Sequence, residues 1–166
     1  HIINKHEKIA LQLSGGRDSI ACLYLLKEYW DKITVYWCKA DEPYPETEHL
    51  MSVIRDEVPN FAVIDGLQSE VIGAFGMPSD IIPVSSTPIG VEVSGGGVLM
   101  QDRYLCCYRS MMLPMQKRMI DDGITLIIRG QRNSDRLKST ARSGDTHEGI
   151  EYLFPIEDWD TKRVMS

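Results

Sequence analysis

Apolar and polar positions follow two rhythms along this chain, and the N-terminal third carries both. Lys8 to Leu13 (KIALQL) is a short apolar run ending in Ser14-Gly15-Gly16, and from Asp18 the residues Ile20, Ala21, Leu23, Tyr24, Leu25 and Leu26 recur at helical spacing. The order is strand, glycine turn, helix. Ile33 to Cys38 (ITVYWC) is β-branched and aromatic, which predicts a second strand, and Leu50, Val53, Ile54 and Val58 place a helix over Glu46 to Val58. Phe61 to Ile64 predicts a third strand. Two successive strand-helix-strand passes predict an α/β fold: a doubly wound, parallel sheet of about five strands with helices on both faces.

The middle of the chain breaks this rhythm. Between Gly66 and Gln101, Met77-Pro78, Pro83, Pro88 and Gly95-Gly96-Gly97 interrupt the pattern too often for long elements, leaving a loop-rich excursion with a short helix near Gln68 to Phe75. Regularity returns in a helix over Tyr108 to Asp122, whose Met111, Met112, Met115 and Met119 read as core packing. Ile124 to Arg129 (ITLIIR) predicts a strand, and Tyr152 to Ile156 a last short one. No repeat or low-complexity tract interrupts the single domain expected over residues 1–166.

Composition narrows the class. The 166 residues are 43% hydrophobic and 25% charged, near the globular average, and no apolar stretch approaches the ~20 residues of a membrane span. Eighteen Lys and Arg against 24 Asp and Glu give a net charge of −6, so no global field attracts nucleic acid or an anionic membrane, and a polyanion site must be local. Two of the four cysteines (Cys22, Cys38, Cys106, Cys107) are adjacent, which suits reduced thiols and a cytoplasmic location better than a disulfide framework. His6, His49 and His147 lack metal-ligand spacing, and His1 is read as a tag remnant. The chain starts without Met and stops at Ser166 just as a helix begins, which leaves open a truncation at the C-terminus.

Local anion chemistry is concentrated in two places. Ser14-Gly15-Gly16-Arg17-Asp18-Ser19 sits where the first strand hands over to the first helix, so backbone N–H groups, a helix N-terminus, two hydroxyls and a cation converge there. Such a loop cradles a phosphate or sulfate, and it lacks the spacing of a Walker A loop. The second place is Arg129, Arg132 and Arg136, clustered just after a strand and extended by Lys138 and Arg142, where guanidinium forks suit oxyanions.

At these residues a family resemblance emerges. Ser14 to Ser19 resembles the PP-loop, usually S-G-G-K-D-S, of the adenine nucleotide alpha-hydrolase-like superfamily, with Arg17 for the commoner Lys. Ala40-Asp41-Glu42-Pro43-Tyr44-Pro45-Glu46-Thr47 is similar to the D-T-G-x-x-x-P-E-T segment of the phosphoadenosine phosphosulfate reductase branch, with Glu42 and Pro43 where Thr and Gly are usual. The segment Cys106 to Met115 resembles R-x-C-T-x-x-x-K-x-x-P without its lysine, and the vicinal cysteines resemble the first half of the iron–sulfur ligand set of adenylylsulfate reductases. Gly130 to Arg136 is similar in outline to G-x-R-x-x-(D/E)-S-x-x-R with the Ser and acid transposed, and Pro155-Ile156-Glu157-Asp158-Trp159 matches P-I-x-D-W.

The resemblance spans Lys8 to Val164 and implies an adenine nucleotide laid across the carboxyl ends of the strands. Main-chain groups near Asp41 would hold the adenosine end, Ser14, Gly15, Gly16, Arg17, Asp18, Ser19 and Gly130 the phosphates, and Arg132 and Arg136 the distal sulfate or phosphate. It implies an oxidoreductase of sulfur metabolism acting on phosphoadenosine phosphosulfate or adenylylsulfate, with Cys106 and Cys107 as candidate catalytic thiols and thioredoxin or glutaredoxin as reductant. Four thiolates hold a 4Fe-4S cluster, and the second C-x-x-C pair is missing from this sequence, so no complete cluster is expected. The family's E-C-G-(I/L)-H tail with its nucleophilic cysteine does not occur in these residues either. Alternatives are an ATP pyrophosphatase-type sulfurtransferase using ATP with Mg²⁺, or a nucleotide-binding module without catalysis. A homo-oligomer stays open.

Overall fold

A computed structural model describes residues 2–136 and 139–165, so Lys138 of the predicted basic cluster and His1 lie outside the described residues. In chain order the elements are β1 (Ile9–Gln12), α1 (Arg17–Leu25), β2 (Ile33–Lys39), α2 (Pro45–Glu57), β3 (Phe61–Asp65), α3 (Gln68–Phe75), β4 (Met77–Ser79) and α4 (Pro88–Ser94). They continue as β5 (Met100–Asp102), α5 (Arg103–Cys107), α6 (Leu113–Asp121), β6 (Leu126–Arg129), β7 (Thr146–His147), β8 (Ile150–Leu153) and α7 (Thr161–Val164). The chain divides into two compact units, one of His1–Cys38, Pro43–Val63 and Met119–Ser166, the other of Lys39–Glu42 and Ile64–Arg118.

The first unit is built on a sheet in the order β3-β2-β1-β6-β8-β7. Leu11 of β1 sits opposite Val35 of β2 and Ile128 of β6, both in parallel register, and β8 continues parallel beside β6. The period of two sorts the side chains by face. Ile9, Leu11, Leu13, Ile33, Val35, Trp37, Leu126 and Ile128 form one buried cluster with Cys22 and Leu23 of α1 and Met51 and Ile54 of α2. Each such fully buried Leu or Ile contributes about 1.5–3 kcal/mol. The alternate residues serve the other face, where Gln12 Nε2 donates to Met119 Sδ at 3.6 Å and Tyr36 Oη donates to Asp122 Oδ2 at 2.6 Å. Helices thus cover both faces of a mostly parallel sheet. It has six strands rather than about five, because the two-residue β7 adds an antiparallel edge to β8.

The second unit holds what the sequence pattern leaves as an irregular stretch. A helix does occupy Gln68–Phe75, and β4 and β5 form a separate parallel pair from Met77 opposite Met100 to Ser79 opposite Asp102. Buried Gln101 ties this pair to α3 by donating from Nε2 to the carbonyls of Val71 (3.3 Å) and Gly76 (2.8 Å). Gly76 takes φ +91°, and a Cβ there would meet the Leu99 carbonyl at 2.0 Å, so no other residue fits.

Helix starts already at Arg103, with Asp102 capping the N–H groups of Tyr104 and Leu105, and a π-helical turn over Tyr108–Met112 joins α5 to α6. Pro114 has no N–H to offer the Ser110 carbonyl, which accepts instead from Leu67 N at 2.9 Å. The π turn also rotates the face that follows it. Of the four methionines expected in the core only Met119 is fully buried, and Met112 is 42% exposed.

Candidate nucleotide site

The turn after β1 is folded by its own hydroxyls. Ser19 Oγ donates to the Gly16 carbonyl at 2.8 Å, Ser14 Oγ and Ser19 Oγ lie 3.2 Å apart, and Ser14 Oγ accepts from Gly16 N at 3.3 Å. Both serines expected to donate to an anion are therefore already engaged in shaping the loop. Gly15 is required twice over: its φ is +81°, and a Cβ would meet Met51 Cε at 3.0 Å and Thr47 Cγ2 at 3.7 Å. The first turn of α2, part of the Pro45-Glu46-Thr47 segment, thereby packs beneath the loop. A Cβ on Gly16 would meet only Ser14 Oγ, at 3.4 Å, so the space before that residue is open.

Gly16 is also the N-cap of α1 and supplies no side-chain cap. The amides of Arg17, Asp18 and Ser19 have no carbonyl of their own helix to bond, and the helix dipole adds partial positive charge where they point. An oxyanion is the group such an end accepts.

Turning to the end of β6, the structure places Gly130 and Arg132 against this loop. A Cβ on Gly130 would stand 2.5 Å from the Asp18 carbonyl oxygen, so the close approach of the two turns needs glycine there. Arg132 Nε lies 3.1 Å from Asp18 Oδ2, an ion pair rather than a hydrogen bond because the Nε–H is not aimed at the oxygen. Arg132 Nη1 donates to Thr161 Oγ1 at 3.3 Å, and Nη2 is 3.9 Å from Asp135 Oδ1. Arg132 is thus braced on three sides instead of standing free.

The segment itself is anchored by the Pro155-to-Trp159 stretch: Asn133 N donates to the Glu157 carbonyl at 2.7 Å and Asn133 Nδ2 to Asp158 Oδ1 at 2.8 Å. Arg136 is exposed and engages no partner among the described residues, and Arg17 reaches only Met165 Sδ, at 3.6 Å. A cavity of about 570 Å³ opens beside Arg132, Asn133, Arg142, Phe154, Glu157 and Asp158.

Asp41, Cys106 and Cys107 belong to the second unit. Asp41 accepts from the N–H groups of Gln68 and Ser69 at the start of α3, and hydrogen bonds from Ser69, side chain first and backbone second, hold its carboxyl below the ordinary range. It is a helix cap. Cys106 is buried and Cys107 exposed, and burial, with Cys107 beside it, pushes the Cys106 thiol up. The four cysteines are thiols rather than disulfides, and burial pushes Cys22 up to about 12. Among the described residues no group of three or more His, Cys, Asp or Glu could hold a metal ion, and no helix is long and apolar enough to cross a membrane.

Thr47, Met51 and Thr161 support the site without having stood out as candidates. The P-E-T spelling was the available signal for Thr47, and nothing local marks the other two.

No protein-family model matches the chain, and no curated protein matches its sequence. Among solved structures it is similar to phosphoadenylyl-sulfate (PAPS) reductase from Candida auris, determined as a phosphate complex, with a TM-score of 0.65 over 98% of this chain and 72% of that one, at 14% identity. The fold is that of PAPS reductase. Within it β1 sends its crossover through α1 to β2 on one side while β6 lies on the other, so the strand order reverses between β1 and β6. Open parallel sheets bind ligands outside the carboxyl ends of strands at such a reversal. In this PAPS reductase-like fold that is where the Ser14–Ser19 turn and Arg132 meet.

Proposed function

We propose that the chain binds an adenine nucleotide through the turn after β1 and acts on a sulfonucleotide, phosphoadenosine phosphosulfate or adenylylsulfate, in thiol-dependent reduction at sulfur. The observation that carries this reading is the uncapped N-terminus of α1, with open space before Gly16 and the Arg132–Asp18 pair at its side. The amides of Arg17, Asp18 and Ser19 take a phosphate, and the exposed guanidinium of Arg136 takes the distal sulfate or phosphate. The phosphate complex of the Candida auris enzyme supports an oxyanion in a fold of this kind. Arg132 positions the two turns.

Calorimetry with phosphoadenosine phosphosulfate, adenylylsulfate, ATP with Mg²⁺, and AMP tests the binding. The sulfonucleotides should bind more tightly than AMP, and a folded Gly16→Val variant should lose affinity for all four. Unchanged affinity in that variant would remove the assignment, and preference for ATP with Mg²⁺ accompanied by pyrophosphate release would replace reduction by adenylation. Sulfite release from a sulfonucleotide in the presence of a dithiol reductant tests the reduction itself.

A further inference from the structure

β6 is buried at Leu126, Ile127 and Ile128, and the same strand then carries an arginine. Arg129 sits opposite Gln12 of β1 in register and shares a face with Ile127, itself opposite Tyr152 of β8. Its Nε is buried with no hydrogen-bond partner, and no carboxylate pairs with its guanidinium among the described residues. Burial lowers its pKa, which the nearby Tyr152 partly offsets. Arg129 is only partly buried overall, so its guanidinium carries one shielded, unpartnered Nε–H beside an open cavity, an arrangement that suits an anion supplied from outside.

There is room for one. Arg129 forms one wall of an open cavity of about 450 Å³ whose other walls include Thr140, Thr146, His147 and Tyr152. The acid on the rim, Asp145, is turned to its own loop, where Oδ2 accepts from Arg142 N at 2.8 Å. Hydroxyl donors around one guanidinium favour an oxyanion over a cation or an apolar group.

We propose that this cavity is a second anion site, in which Arg129 receives the sulfate, phosphate or carboxylate group of a small hydroxylated molecule, assisted by the hydroxyls of Thr140, Thr146 and Tyr152. It adjoins the cavity beside Arg132, with Ser139, Thr140 and Ala141 lining both, and its test does not require the nucleotide reading.

Titration calorimetry at constant ionic strength, with chloride as the balancing ion, tests it using inorganic sulfate, inorganic phosphate and gluconate. The unmodified chain should show one site abolished by Gly16→Val and another, weakened about tenfold or more, by Arg129→Met and by Arg129→Gln. Arg129→Met removes an unpartnered cation, so its ligand-free melting temperature should stay level or rise, and Arg129→Gln retains polar reach should the apolar variant pack poorly. Sulfate and phosphate binding equal to gluconate would identify the oxyanion group itself as the ligand, whereas gluconate alone would identify an organic acid. Either variant keeping full affinity for all three probes would overturn the proposal. Loss in the Arg129 variants with none in Gly16→Val would sink the nucleotide site and leave this one standing.

Discussion

Arg132 Nε stands 3.1 Å from Asp18 Oδ2, joining the turn after β6 to the turn after β1 through one ion pair between side chains 12% and 29% exposed. Partial burial lets the pair act with little solvent screening. Arg132→Ala should therefore lower stability by about 1–3 kcal/mol, unlike a free surface arginine. A double-mutant cycle with Asp18→Asn, followed by urea denaturation, should return a coupling of at least about 0.5 kcal/mol. Strict additivity would mean that the two turns are not held by this contact.

Gly130 and Gly16 should fail in opposite ways. An alanine at 130 drives a Cβ to 2.5 Å from the Asp18 carbonyl, whereas at 16 it meets only Ser14 Oγ at 3.4 Å. Gly130→Ala should cost about 1–3 kcal/mol through backbone displacement. Gly16→Ala should melt within a few degrees of the parent and still weaken nucleotide binding. Equal melting temperatures for the two variants would contradict the packing described.

Asp41 gives a pH signature in the second unit. Its folded pKa is lowered, mainly by Ser69, so its contribution is present above the unfolded carboxylate value and is lost as pH falls through the folded one. The loss should begin near about pH 4 and deepen in acid. Thermal melts of Asp41→Ala should fall below the parent at neutral pH and converge with it in acid. A constant difference at every pH would place the effect outside this carboxylate.

Thiol reactivity should follow burial. Cys107 is exposed, whereas Cys22, Cys38 and Cys106 are buried, with Cys22 pushed up to about 12. Iodoacetamide at pH 8 should label Cys107 first, and peptide mass mapping should find the other three protected until denaturant is added. Labelling of Cys106 at the rate of Cys107 would contradict the burial at the end of α5.

The elements read directly from the sequence are those whose side-chain period is long enough to show. Ile9 to Leu11, Ile33 to Cys38 and the helices after them lie where periodicity predicts. Met77–Ser79 and Met100–Asp102 are three-residue strands, too short to display a period, and Thr146–His147 is shorter still. The π turn over Tyr108–Met112 hides behind an ordinary helical spelling. At the site, glycines and arginines were visible as residue types, but Arg132 as a brace is set by its approach to Asp18, and Asp41 as a cap by a helix that begins 27 positions later. Such roles belong to tertiary distance, which no local window contains.

β1 takes its two neighbours from distant parts of the sequence: β2 follows almost at once, while β6 is more than a hundred residues away. At synthesis rates of about 5–20 residues per second, the ribosome leaves that flank of Ile9–Gln12 unpaired for roughly 5 to 20 seconds. Through that interval the nascent chain carries an apolar strand with open backbone donors and acceptors, the kind of edge that recruits foreign strands. The arrival of Leu126 to Arg129 closes the edge and delivers Gly130 and Arg132 to Asp18 in the same movement, so one strand completes both the sheet and the site.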